Sequence, residues 1–242
     1  MSEEHIYNPV TGINRMMADI EKFLNPIVAD LHPLFRVASI INISLVILVF
    51  AALLFYMVFI RQHSVLNKLR DPSNYFAAGA LLIIYAFFTE TPIKIGPELS
   101  LNFGLVVMPL AAKLFGPIIA GAFGIIQYAT SFVMHQGEAF NLSAMLVAGI
   151  GGMLYGWIIY ARRTRYIRCL WAKLVVNVVC NIILVPMVQG GATATEIVSF
   201  ITQSIVTNVI MAPIQALLIF VALLIMKKIR ENLSQVSWGL DR

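Results

Sequence analysis

Polar and apolar positions sort into long apolar runs joined by short polar links. Seven runs can be read, over about residues 37–60, 75–90, 101–115, 117–134, 142–161, 169–188 and 196–226. A bilayer's hydrocarbon core takes about 20 apolar residues to cross as a helix, so most of these runs predict membrane-spanning helices. The last run is long enough to tilt or to extend into the cytoplasm. Ahead of them, Val10, Ile13, Met16, Met17, Ile20, Phe23, Leu24, Ile27, Val28 and Leu31 recur at steps of three and four, with Asp19, Glu21, Lys22 and Asp30 between. That spacing predicts an amphipathic helix, kinked at Pro26. Two placements are open for it: flat in the outer interface, or over the mouth of a pocket. The pattern divides the chain into an amphipathic leader (1–35), an extra transmembrane helix (36–61), a six-helix core (75–230) and a cytoplasmic tail (231–242), with the polar link 66–74 as a boundary. The expected fold class is therefore all-α and membrane-integral.

Within the core, the most informative stretch runs from Ile95-Gly96-Pro97 through Pro109 to Phe115-Gly116-Pro117. It holds two Gly-Pro turns around an apolar segment too short to span. Segments broken by Pro or Gly persist at membrane depth only where protein or a cavity covers the freed backbone groups. The stretch thus predicts a ligand pocket within the bilayer. Small residues recur every four positions at Gly116, Ala120 and Gly124, and again at Ala144, Ala148, Gly152 and Gly156. Such faces let helices approach closely where lipid offers no hydrophobic drive for association. The patch Ala77, Ala78, Gly79, Ala80 is small all round one helical turn. It serves either internal packing or docking of a second membrane subunit.

Composition strengthens the membrane reading: 60% of residues are hydrophobic and only 12% charged, with a mean hydropathy of +0.85. Basic residues gather at Arg61, Lys68 and Arg70, at Arg162, Arg163, Arg165 and Arg168, and at Lys227, Lys228 and Arg230. These clusters fall in alternate links, so the positive-inside rule places them in the cytoplasm. Seven spans then put the N-terminus outside and the C-terminus inside. The net charge of +5 reports this topology and contact with anionic lipid, not nucleic acid. Cys169 and Cys180 stand eleven apart on one apolar run, a spacing unsuited to a CxxC pair, and read as small buried hydrophobes.

What is missing narrows the function. The chain has no GxxxxGK[ST] phosphate loop, no HExxH, no GxSxG and no His/carboxylate cluster, so neither ATP hydrolysis nor metal or serine catalysis is expected. No ionisable residue is expected near the middle of a span: Lys113 and Lys173 are assigned to cytoplasmic ends and Glu90 to an outer end. Ion-coupled carriers use such groups for their relays. A pocket without an ion path or a nucleotide site passes solute downhill or draws its energy from another subunit.

The run LNFGLVVMPLAAKLFGPIIAGAFGII, then FNLSAMLVAGIGGMLYGWIIY, the basic loop Arg162–Arg168, AKLVVNVVCNIILVPM and VIMAPIQALLIFVALLIMKKI together resemble the substrate-binding S components of energy-coupling factor (ECF) vitamin transporters, folate-type branch. The resemblance covers about residues 75 to 230. It implies a subunit of the bacterial cell membrane that captures a vitamin outside and delivers it inward by toppling. It also implies two kinds of partner, a membrane coupling subunit (T component) and a pair of cytoplasmic ABC ATPases that use ATP. This chain itself is expected to hold no cofactor, no metal and no catalytic residue. By the same resemblance Ala77, Ala78, Gly79 and Ala80 would face the coupling subunit, although the family's AxxxA spacing is not reproduced. Residues 91–100 would gate the site.

Two departures bear on the ligand. Gln127 stands where the folate-type pattern often has an acid, and the stretch 201–208 lacks the basic residues that pattern carries. Folate brings two carboxylates, and Lys94 is the only cation assigned to the outer half of the core. The candidate ligand residues are Lys94, Asn102, Phe103, Gln127, Tyr128, His135, Gln136, Phe140, Asn141 and Gln203. Amides, hydroxyls and rings suit a neutral, polar, amide-rich ligand, which makes cobalamin the first expectation. Folate, or a self-sufficient facilitator of a small neutral solute, is the alternative.

Overall fold

The computed structural model describes residues 9–56, 72–89, 93–94, 100–101, 103–134, 140–185, 194–205, 208 and 211–235. The described elements are helical apart from one short ribbon. Helix α1 covers Pro9–Phe55 and α2 covers Pro72–Thr89. Two-residue strands β1 (Ile93–Lys94) and β2 (Ser100–Leu101) pair antiparallel, Ile93 opposite Leu101 and Lys94 opposite Ser100. A 3-10 turn, Phe103–Val106, leads into α3, Val107–Phe115. Helices α4 (Pro117–Met134), α5 (Leu142–Ile159) and α6 (Tyr166–Val176) follow, and α6 continues as a π-helical segment over Asn177–Leu184. The series ends with α7, Ala194–Ile205, and α8, Ala212–Gln235.

Among the described residues, four helical stretches are long and apolar enough to cross a membrane: Pro117–Met134, Leu142–Ile159, Tyr166–Leu184 and Ala212–Ile229. Shorter apolar helices lie at Val46–Phe55, Phe76–Phe88 and Gly104–Phe115. The chain is an all-helical, multi-pass membrane protein. Two elements differ from the sequence expectation. The leader and the extra span are one continuous helix, since α1 runs through Pro26 and past residue 35 without a break. The last apolar run is two helices, α7 and α8. Pro213 lies in the first turn of α8, where its missing N–H costs nothing and its fixed φ favours initiation.

Helix α5 is the hub, because small residues let neighbours reach its backbone. Its antiparallel partner α4 meets it along Pro117, Ala120 and Gly124 against Gly156, Gly152 and Ala148. A methyl at Gly152 would collide with the Ala120 carbonyl oxygen, so only glycine permits this crossing. Around that seam, Ile150, Leu154 and Ile159 of α5 pack with Val46 of α1, Ala112 of α3, Cys169 and Ala172 of α6, and Ala216, Ile219 and Leu223 of α8. Both cysteines are free and buried. In the extra-span part of α1, Val46 is fully buried and the Phe50 ring lies against Gly149, so this stretch packs on α5. Further up α1, Leu24 and Val28 pack on Ile197, Val198 and Ile201 of α7, while Phe23 and Ile27 stay exposed.

The Gly116-Pro117 turn does what its sequence predicts. Gly116 adopts φ +89°, which L side chains rarely tolerate, and its N–H bonds the Ala112 carbonyl at 3.1 Å. The chain therefore reverses in a single residue between α3 and α4. Nearby, Lys113 Nζ donates to the Arg162 carbonyl and, at 3.4 Å, to that of Ile159, fastening α3 to the basic link after α5.

Candidate binding cavity

A cavity of about 500 Å³ opens between α2, the 3-10 turn, α3, α4, α5 and α6. Helix α5 gives it one face, Ala144, Val147, Ala148, Gly151 and Tyr155, at helical steps of three and four. Helix α6 and its π segment give another, Lys173, Val176, Asn177, Cys180 and Asn181. Tyr85, Leu105, Met108, Gln127 and Tyr128 complete the wall. Ala144 and Asn181 lie toward the ends of α5 and α6 remote from the basic link 162–168. Tyr155 and Lys173 lie nearest that link and form the floor.

Two polar groups in this wall lack partners among the described residues. Gln127 is 5% exposed and its Nε2 has no hydrogen bond. Lys173 is 8% exposed, and no hydrogen bond or ion pair joins its ammonium to another described residue. An unpaired buried amide costs about 1–3 kcal/mol, and a buried charge costs more. Both groups border the cavity, whereas the other buried atoms without partners among the described residues, Thr202 Oγ1 and Gln215 Oε1, do not. The amides further up are occupied. Asn177 Nδ2 donates to the Asn208 carbonyl at 2.9 Å. Asn181 Nδ2 donates to Asn177 Oδ1 at 3.3 Å and Asn208 Oδ1 at 3.1 Å. This triad fixes the π segment, a widened turn of the kind common at functional sites, against the Asn208 region.

The residues expected from sequence divide clearly. Gln127 and Tyr128 line the cavity. Phe140 and Asn141 gather beside Tyr128, near the ends of α4 and α5 remote from the basic link, without lining it. The Phe140 ring is edge-on to Tyr128 at 6.2 Å and to Phe132 at 5.4 Å. Asn141 caps α5, its Oδ1 accepting from Ala144 N at 3.1 Å, and its own N–H donates to the Tyr128 hydroxyl at 3.3 Å. Gln203 is exposed on α7 and does not reach the cavity. The described buried positions of α7 are Ile197, Val198, Thr202 and Ser204, and Gln203 lies about 100° round the helix from either neighbour. Lys94 sits in the ribbon opposite Ser100 and Phe103 begins the 3-10 turn. Asn102, His135 and Gln136 lie outside the described residues, as does most of the expected 91–100 gate.

Of the small patch on α2, Ala77 and Ala78 pack on the Leu81, Val107, Ala111, Phe115 cluster. Ala80 is exposed, and a side chain added at Gly79 would meet nothing within 4 Å. Half the patch packs inward and half stays open.

Lys173, expected near a cytoplasmic end and absent from the candidate ligand residues, also lines the cavity, on the side nearest the basic link. The signal was available: Lys173, Val176, Asn177, Cys180 and Asn181 repeat at steps of three and four, so one face carries all of them.

No protein-family model matches the chain. A curated relative, the folate transporter FolT of Clostridium novyi (strain NT), is 27% identical over 128 residues, which is 51% of this chain and 72% of the relative. A solved structure, FolT bound with folic acid, is similar with a TM-score of 0.51 and 22% identity, covering 62% of this chain and 92% of that one. The resemblance to folate-type S components thus holds in sequence and in fold. Both matched proteins carry folate in their names, whereas cobalamin was the first expectation from sequence.

Proposed function

We propose that this chain is the S component of an ECF-type importer, and that it captures a folate-class vitamin rather than a cobalamin. The observation that carries the reading is the cavity floor, where a buried ammonium with no counter-ion among the described residues faces the same space as an unpaired amide. A flat, amide-rich ring with a carboxylate tail satisfies both groups, the ring meeting Gln127 and the tail meeting Lys173. The expectation of a neutral ligand counted only Lys94, the lone cation of the outer half; Lys173, lining the cavity on the side of the basic link, adds a cation that count did not include. Size agrees, since a cavity of about 500 Å³ is ordinary for a drug-sized ligand, and a corrinoid bearing a nucleotide tail is far larger.

In this reading the cavity opens outward, the basic links 162–168 and 227–230 face the cytoplasm, and the N-terminus lies outside. Energy comes from a coupling membrane subunit and two ABC ATPases, with the open half of the Ala77–Ala80 patch as a contact. Calorimetric titration of the purified full chain with folate, with cobalamin and with a pterin lacking the glutamate tail tests the ligand. Saturable folate binding with none for cobalamin is expected, and the reverse would overturn the folate assignment. Accumulation of folate against a gradient by the chain alone in liposomes would overturn the S-component assignment.

A further inference from the structure

A second pocket, of about 560 Å³, lies at the opposite end of the bundle, between the end of α5 and the start of α6. Arg162, Arg165 and Arg168 form its rim, Trp157 and Trp171 its walls, and Val175 its inner end. Arg168, Trp171 and Val175 are spaced i, i+3, i+7, so one face of α6 passes from guanidinium to indole to aliphatic. That order matches headgroup, interface and acyl chain across one leaflet. Trp171 is 62% exposed and Trp157 39%, and indoles concentrate at headgroup depth. Arg168 donates to the Arg163 carbonyl, which holds the link in shape. No described carboxylate pairs with any of these arginines. The one described ion pair, Lys227 with Glu231, is on α8.

We propose that this pocket is a binding site for one anionic phospholipid of the inner leaflet, its phosphodiester held by the arginines and an acyl chain laid along Trp171 and Val175. Guanidinium groups recognise phosphate bidentately. The excess of positive charge selects phosphatidylglycerol-like headgroups over phosphatidylcholine, whose own cation it repels. A free phosphate would share the guanidinium contacts, but it would leave the indoles and the aliphatic end without a role. The site is independent of the cargo in the outer cavity.

The test uses the full chain in vesicles of phosphatidylcholine containing either brominated phosphatidylglycerol or brominated phosphatidylcholine, with quenching of tryptophan emission as the readout. Preferential quenching by the anionic lipid is expected, and Trp171→Phe removes a large part of it. A basic residue near the membrane surface contributes roughly fivefold to such attraction, so Arg162→Gln/Arg165→Gln should bring the preference to within about twofold of none. The double variant Lys227→Gln/Lys228→Gln, with the same charge loss elsewhere on the cytoplasmic side, should keep it. Equal loss in both variants would reduce the effect to general surface charge and overturn the site. Displacement of the lipid by millimolar inorganic phosphate would assign the pocket to a soluble anion instead.

Discussion

Replacing Lys173 by Met separates the ligand role of the buried ammonium from any structural one. Met keeps most of the volume of the Lys stem, so packing against Val176 and Tyr155 changes little. In the ligand-free protein the change removes a charge only 8% exposed and without a described counter-ion. Replacing buried charge by an apolar residue of similar volume is often stabilising by about 1–4 kcal/mol. The apo melting temperature should therefore rise, by roughly 2–4 °C per kcal/mol for a chain of this size. Binding should move the other way. A carboxylate about 4 Å from the ammonium gains about 4 kcal/mol at an effective dielectric constant near 20. Stripping water from the carboxylate offsets part of that. A net loss of about 2–4 kcal/mol corresponds to a fall in folate affinity of roughly 30- to 1,000-fold. A pterin without the glutamate tail should bind both proteins alike. Calorimetry and thermal unfolding, each with and without ligand, read both arms. Folate affinity within threefold of the native protein, or a lower apo melting temperature, would refute the assignment of Lys173 as the anion-binding group.

Four further outcomes follow from particular positions. Gln127→Leu removes an unpaired amide, so the apo protein should hold or gain stability while affinity for the pterin ring falls roughly three- to tenfold, measured by the same titration. Gly152→Ala should destabilise by about 1–3 kcal/mol or more, as for other overpacked sites, because the added methyl meets the Ala120 carbonyl. Gly79→Ala, with open space around it, should be neutral in the same thermal assay. Ala80→Leu should leave folate affinity unchanged yet reduce recovery of a coupling subunit and ATPases co-expressed with the tagged chain, and undiminished recovery would remove the α2 patch from that interface.

Much of the helical plan was readable because lipid imposes few solutions. The α4–α5 seam appears in sequence as Gly116, Ala120, Gly124 and Ala144, Ala148, Gly152, Gly156, since close backbone approach admits little besides small residues. The one-residue reversal at Gly116 was likewise carried by a residue that alone accepts φ +89° and a proline suited to starting the next helix. Where several outcomes share one pattern, the reading failed. A prolonged apolar run does not reveal whether it bends, so α7 and α8 were read as one span. An amphipathic stripe serves lipid and protein equally, so the packing of Leu24 and Val28 on α7 was not distinguishable from an interfacial position.

Lys173 shows the same limit at the site itself. Its place in the run soon after the basic link fits a cytoplasmic end and a cavity wall alike. Helix α6 begins at Tyr166 and rises about 1.5 Å per residue, so seven residues carry the Lys173 backbone about 10 Å inward before its long side chain is considered. Direction then decides the environment. Lys173 shares the face of Val176, Asn177 and Cys180, which turns toward α5, whereas Trp171, two residues earlier, turns toward lipid. A count of charges by depth assigns the cavity one peripheral cation and a neutral ligand. A count by helical face gives it an ammonium at its floor, and the chemistry of the cargo changes sign accordingly.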